Sequence, residues 1–166
     1  SWFSFQDRYR AIPGDMSPTM ASNLIAAGIA VGDATPDGVV DNGAQAGALW
    51  LHLSRAGFIS GTYSGLAAPA AGAVYSCAVG ICPDNRFGIG MEIINAATTF
   101  NTAIPPGAAA HTLYTGSQIP VGIVAELDRK IDDGVANTGN VVGGNNSGAN
   151  AACVVGANYG LGEIND

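Results

Sequence analysis

Tyr9-Arg10-Ala11-Ile12-Pro13-Gly14-Asp15 is the stretch on which the reading of this chain turns. Ahead of it, Trp2, Phe5 and Tyr9 recur at i, i+3 and i+7, which places aromatic rings on one face of a short helix. Proline disfavours the helical conformation in the residue before it, so Ile12-Pro13 followed by Gly14 predicts that the helix stops near Ala11. A helix of about eleven residues is marginal by itself, and Ser1 gives way at once to bulky aromatics. The expectation is the tail of a longer helix whose first part lies upstream.

Outward from that stretch, composition narrows the class. At 166 residues, one domain with a real core is the natural expectation, and 48% hydrophobic residues argue against disorder. Only 11% of residues are charged, and 24 Gly with 8 Pro imply many turns, so short strands with tight connections fit better than a helical bundle. A net charge of −7, with six scattered basic residues, excludes a nucleic-acid footprint and gives no attraction to anionic lipid. No apolar run approaches the roughly 18 residues of a membrane span, and no basic region precedes an apolar one as in a signal peptide.

Along the chain, a turn of helix is expected within residues 19–27 and a loop over 32–43. Residues 44–56 predict a complete helix. Ala46, Leu49, Trp50 and Leu53 form its apolar stripe, Leu51 and His52 fall off that stripe, Asp41 or Asn42 is placed to cap it, and Gly57 closes it. Strands are expected over 73–79 and 87–94, joined by Pro83-Asp84-Asn85 into a hairpin, with a third at Leu113-Tyr114. Residues 119–133 predict a second helix, with Ile123, Leu127 and Ile131 spaced by four and Glu126 paired to Lys130. A closing strand is expected at 151–155.

The residues that carry chemistry are few. Asp33, Asp37 and Asp41 are spaced by four around a Pro-Asp-Gly turn, which makes them weak calcium candidates. The alternate carboxylates and distal Glu of an EF-hand loop are missing, so a solvated turn is the stronger expectation. Cys77, Cys82 and Cys153 suit one disulfide and one thiol in an oxidising compartment. Connectivity is open: Cys77–Cys82 would staple the hairpin, whereas pairing with Cys153 closes a larger loop and constrains the unfolded chain more, which tips the expectation that way. A zinc site from the three cysteines and His111 lacks a C-x2-C pair. His52 is expected to be a partly exposed packing residue on a helix flank and His111 an exposed loop residue. No nucleophile elbow or dinucleotide fingerprint is present. Glu92 and Glu126 would be a glycosidase pair only if folding joined them, so no catalytic residue is assigned and the chain is not expected to be an enzyme.

Tyr9–Asp15, reached through Phe5-Gln6-Asp7-Arg8, resembles the helix exit of type IV pilin-like proteins, including type II secretion pseudopilins. Ala48-Leu49-Trp50-Leu51-His52-Leu53 through Gly57-Phe58-Ile59, and Glu126-Leu127-Asp128-Arg129-Lys130-Ile131-Asp132-Asp133-Gly134, resemble later blocks of that family in the same order. The resemblance implies an α+β, pilin-like fold: an N-terminal helix packed on a small antiparallel sheet, with one or two extra short helices. Residues 1–12 would end the helix, 13–60 would connect it through a further helix, and 61–166 would hold the sheet, the second short helix and the C-terminal segment. It implies a structural subunit of a type IV pilus or a type II secretion pseudopilus, anchored in the inner membrane before assembly only through the upstream helix, and then at the cell surface or in the periplasm. Its partners would be copies of itself or related pilins in a filament. Trp2, Phe5 and Tyr9 would carry helix packing and Pro13, Gly14 and Asp15 would fix the exit. A disulfide from Cys153 to the sheet is also a frequent pilin feature. No cofactor is implied, though pseudopilins are known for calcium sites. The alternative is an extracellular binding module, a minor pilin or adhesin stabilised by calcium.

Overall fold

The computed structural model describes residues 1–41, 43–68, 77–95, 111–116, 118–143 and 153–161. Helix α1 (Trp2–Tyr9) ends before Ala11, because Arg10 already adopts the left-handed conformation (φ 53°) and closes the last turn with its N–H on the Gln6 carbonyl at 2.8 Å. Helix α2 (Pro18–Leu24) begins where the Ser17 side chain accepts the Met20 N–H and Pro18 occupies the first turn.

Helix α3 (Gly43–Arg55) has its expected stripe of Ala46, Leu49, Trp50 and Leu53 buried. Leu51 and His52, off that stripe, are buried too, which corrects the expected partial exposure of His52: α3 is enclosed almost all round. Its end is a Schellman closure. Gly57 takes φ 78°, its N–H reaches the Ser54 carbonyl at 3.0 Å, and the Phe58 N–H reaches the Leu53 carbonyl at 2.9 Å. That closure delivers Phe58 onto α1, with ring centroids 5.9 Å from Phe5 and 6.4 Å from Tyr9. Asn42 lies outside the described residues, and the Asp41 N–H is taken by the Gln45 side chain at 2.7 Å.

Strand β1 (Glu92–Asn95) pairs antiparallel with β2 (His111–Tyr114), Glu92 opposite Tyr114 and Asn95 opposite His111. The expected strand over 87–94 therefore starts late. Its first half is a turn, because the Asn85 side chain accepts the N–H groups of Phe87 at 2.8 Å and Ile89 at 3.2 Å. The expected strand over 73–79 falls mostly outside the described residues, and Cys77 makes a single antiparallel bridge to Gly90. Helix α3 packs on β1, and α1 meets β2 through Trp2, whose ring lies 4.9 Å from that of His111. The most buried ring of the short α1, Phe5, lies against Tyr9 and Phe58.

The described residues up to 116 belong to one compact unit and those from 118 onward to a second. The second unit contains α4 (Val121–Ile131) and a hairpin of β3 (Val154–Val155) with β4 (Asn158–Tyr159), so the expected closing strand pairs locally. On α4 the buried positions are Val121, Ala125 and Asp128, whereas Ile123, Leu127 and Ile131, the residues spaced by four, are exposed. Glu126 bonds Arg129 at 3.3 Å, three residues on, in place of the expected Lys130 partner. The architecture of the described residues is thus mixed: four helices and two small antiparallel sheets, an α+β arrangement. Among the described residues three helices follow α1, more than the one or two expected, because both α2 and α3 precede the sheet. No helix among the described residues is long and apolar enough to cross a membrane.

Candidate functional site

The buried polar residues Asp15, Gln45 and His52 converge within the first unit, where the chain leaves α1. After Arg10 the chain turns through Pro13 and Gly14, both buried, and Gly14 takes φ 93°. A Cβ there would lie 2.5 Å from the Gln45 carbonyl oxygen of α3, so glycine is required by conformation and by close approach alike. The Gly14 N–H donates to His52 Nδ1 at 3.1 Å. Because Nδ1 accepts, the ring proton sits on Nε2, which donates to the Val31 carbonyl at 3.0 Å. His52 is fully buried with both nitrogens satisfied, and burial holds it below its ordinary pKa while the Val31 carbonyl acts the other way. Expected as a partly exposed flank residue, it is the pin between α3, the helix exit and the chain at Val31.

Asp15, next in sequence, is 4% exposed. Its carboxylate accepts the Asp37 N–H at 3.1 Å and the Gly38 N–H at 2.9 Å. Burial pushes its pKa up. The two amides pull it back, and the Asp37 and Asp33 carboxylates add to the rise. Asp33 and Asp37 are themselves turn formers, accepting the N–H groups of Thr35 at 3.2 Å and Val39 at 3.0 Å. Carboxylate oxygens of Asp15, Asp33 and Asp37 lie within 4.8 Å of one another, so two of the three calcium candidates do come together. The third member is Asp15, and Asp41 is not in the group. Each carboxylate in it already accepts backbone amides, the signature of a loop folded on its own aspartates. Beside it lies a concavity of about 300 Å³ lined by Arg10, Ile12, Asp15, Met16, Met20 and Pro36.

The loop then docks at the end of the sheet. The Val40 N–H donates to His111 Nε2 at 3.0 Å and the Val40 carbonyl accepts the Asn95 N–H at 2.6 Å. His111, expected on an exposed loop, is instead half-buried on β2 against Trp2. Replacing Asp15 by Asn is expected to cost about 1 kcal/mol, because the amide keeps one acceptor but turns its NH2 against one of the two part-buried N–H groups. Calorimetric melting checks this, and an unchanged melting temperature would remove Asp15 from its assigned role.

The last of the three quoted blocks does similar work in the second unit. Asp128, fully buried, accepts the Gly134 N–H at 3.2 Å and the Tyr159 hydroxyl at 2.8 Å, tying α4 to β4. Burial first, and then that bond, push the Tyr159 hydroxyl well above its ordinary pKa. Asp132 accepts the N–H groups of Asn140 and Val141, and Asp133 those of Val135 and the Thr138 hydroxyl. Carboxylate oxygens of Asp128, Asp132 and Asp133 also approach within 4.8 Å.

Cys77 and Cys82 form the disulfide, across a turn in which Ala78 accepts the N–H groups of Ile81 and Cys82. This overturns the expected link to Cys153, which stands outside the bond and is half-buried. The two glutamates considered for glycosidase chemistry differ in setting: Glu92 is buried in the first unit, and Glu126 is exposed on α4 beside Arg129. Comparison of the chain with family profiles, with curated proteins and with solved structures gave no match.

Proposed function

We propose that the chain is the globular part of a pilin-like structural subunit, of a type IV pilus or a type II secretion pseudopilus, which works by joining copies into a filament. The observation that carries this reading is the fixed exit of α1. Gly14 is bonded to His52 and packed on Gln45, Asp15 grips the 37–38 amides, and Phe5 and Tyr9 are held by Phe58. A subunit whose helix is drawn into a filament must pass load from helix to domain without the joint yielding, and three independent contacts over residues 5–15 supply that stiffness. The order of the three resembling blocks supports the same reading. On α1, Phe5 is buried within its own unit, and Phe3, 79% exposed, is the ring left open to a neighbouring subunit. The Cys77–Cys82 disulfide suits the cell surface or the periplasm.

The reading requires an apolar helical segment continuous with α1 in the gene product. Expression of that product in cells that carry the assembly machinery, followed by shearing and electron microscopy, tests it. The expected result is the chain within helical filaments, and loss of filaments on Phe3→Asp with the folded domain retained. Recovery of the full-length product only as a discrete soluble species would end the proposal.

A further inference from the structure

The two histidines of the chain are used in the same way. His52 Nδ1 accepts the Gly14 N–H and His111 Nε2 accepts the Val40 N–H, so in each ring one nitrogen must stay unprotonated for a backbone bond to exist. The bonded amides bracket the 14–40 segment, which holds α2, the Asp15-centred loop and the joint with α1. A doubly protonated imidazole has no acceptor, and an N–H pressed against an N–H is repulsive.

We propose that His52 and His111 form an acid-released latch, in which each ring gives up one backbone amide bond on taking up a proton, freeing the exit of α1 from α3 and the chain at Val40 from β2. The two halves differ in threshold. His52 is enclosed between the Gly14 amide and the Val31 carbonyl, and no charged side chain among the described residues acts on it. His111 faces Trp2 from α1, neutral Asn95 across the sheet, and the Asp15 carboxylate from the loop. Burial holds both rings below the ordinary histidine range, offset in part by the Val31 carbonyl at His52 and by the Asp15 carboxylate at His111. His52 is fully buried whereas His111 is half-buried on β2, so a proton reaches His111 at less cost and it releases first as pH falls. The Val40 bond opens before the Gly14 bond, and the loop leaves the sheet before the helix exit loosens.

Amide hydrogen exchange on the intact chain, read residue by residue between about pH 7 and pH 4.5 as protection factors, tests the latch. Protection at Val40 and then at Gly14 is expected to fall roughly tenfold or more relative to Leu49 of α3. His111→Gln offers an amide oxygen near the Nε2 position without titrating, so the loss at Val40 disappears there while that at Gly14 remains. Nitrogen-15 spectra of the wild-type imidazoles serve as a second measurement that needs no variant. They are expected to place the neutral-pH proton on Nε2 of His52 and Nδ1 of His111. Equal loss at Leu49, no loss at Gly14 and Val40, or the opposite tautomers would each overturn the proposal. None of these readouts depends on filament assembly.

Discussion

Gly47→Ala is expected to destabilise the first unit by about 3 kcal/mol, at the upper end of what overpacking costs, although the same change inside a helix ordinarily stabilises by about 1 kcal/mol. The reversal comes from one crossing. The chain at 66–68 runs over α3, and a Cβ on Gly47 would lie 1.8 Å from the Leu66 carbonyl oxygen and 2.8 Å from its carbonyl carbon. Both are backbone atoms, so no rotamer change relieves the contact. The crossing chain is also tied down, because the Ala68 N–H donates to the Gly43 carbonyl at 2.8 Å and Ala68 is 5% exposed. Displacing it breaks that bond and opens the side of α3 that it seals. For a chain of this size the loss reads as a fall in melting temperature of roughly 6–12 °C. Gly122→Ala on α4 is the matched control: nothing lies within 4 Å of its added Cβ, and a gain of up to about 1 kcal/mol is expected. A melting temperature for Gly47→Ala at or above that of the parent chain would remove the crossing from the account.

That pair also shows what can be read from residues alone. The stripe of Ala46, Leu49, Trp50 and Leu53 follows helical periodicity, and α3 forms where the period places it. Gly57 closes it because left-handed closure is a local property, and Phe58 follows by geometry. His52 and Gly47 were illegible for the opposite reason. Their partners are backbone groups of Gly14, Val31 and Leu66, and no pattern of side chains encodes which distant amide or carbonyl will pass.

On α4 the spacing finds a face but not which face is covered. At about 100° per residue Ile123, Leu127 and Ile131 share an arc of about 80°, but Ile123 lies about 200° round from Val121, so that arc is opposite the buried one. Val121, Ala125 and Asp128, separated by four and then three, make up the buried face. An aspartate holds the innermost place because it collects the Gly134 amide and the Tyr159 hydroxyl, a demand set by a loop and a hairpin beyond the helix. The disulfide was misjudged because loop entropy describes the unfolded chain. Which cysteines meet is decided by the folded turn, and the one at 78–82 brings Cys77 and Cys82 to a Cα separation of 5.9 Å.

Glu92 carries the second large effect, and its sign is set by burial. It opens β1 on the face toward the core, 1% exposed, and neither carboxylate oxygen has a hydrogen-bond partner among the described residues. Burial alone pushes its pKa from 4.5 up to about 7. Below pH 4.5 the group is neutral in folded and unfolded chains alike, and it contributes no pH dependence. Between pH 4.5 and 7 the unfolded chain ionises it while the fold keeps it protonated, so stability falls as pH rises; above 7 the loss is complete. At about 1.4 kcal/mol per unit, the ceiling on that loss is about 3 kcal/mol. Glu92→Gln keeps the shape and cannot ionise, so its stability should exceed that of the parent by about 2–3 kcal/mol at pH 8 and by less than about 1 kcal/mol near pH 5. The histidines titrate in both proteins and cancel from the difference, which isolates the carboxyl from the acid-side loss that they impose. Urea unfolding of the two chains at both pH values measures it. A stability difference that does not change between pH 5 and pH 8 would mean that the Glu92 carboxyl meets the same surroundings folded and unfolded, and that β1 does not carry it into the core.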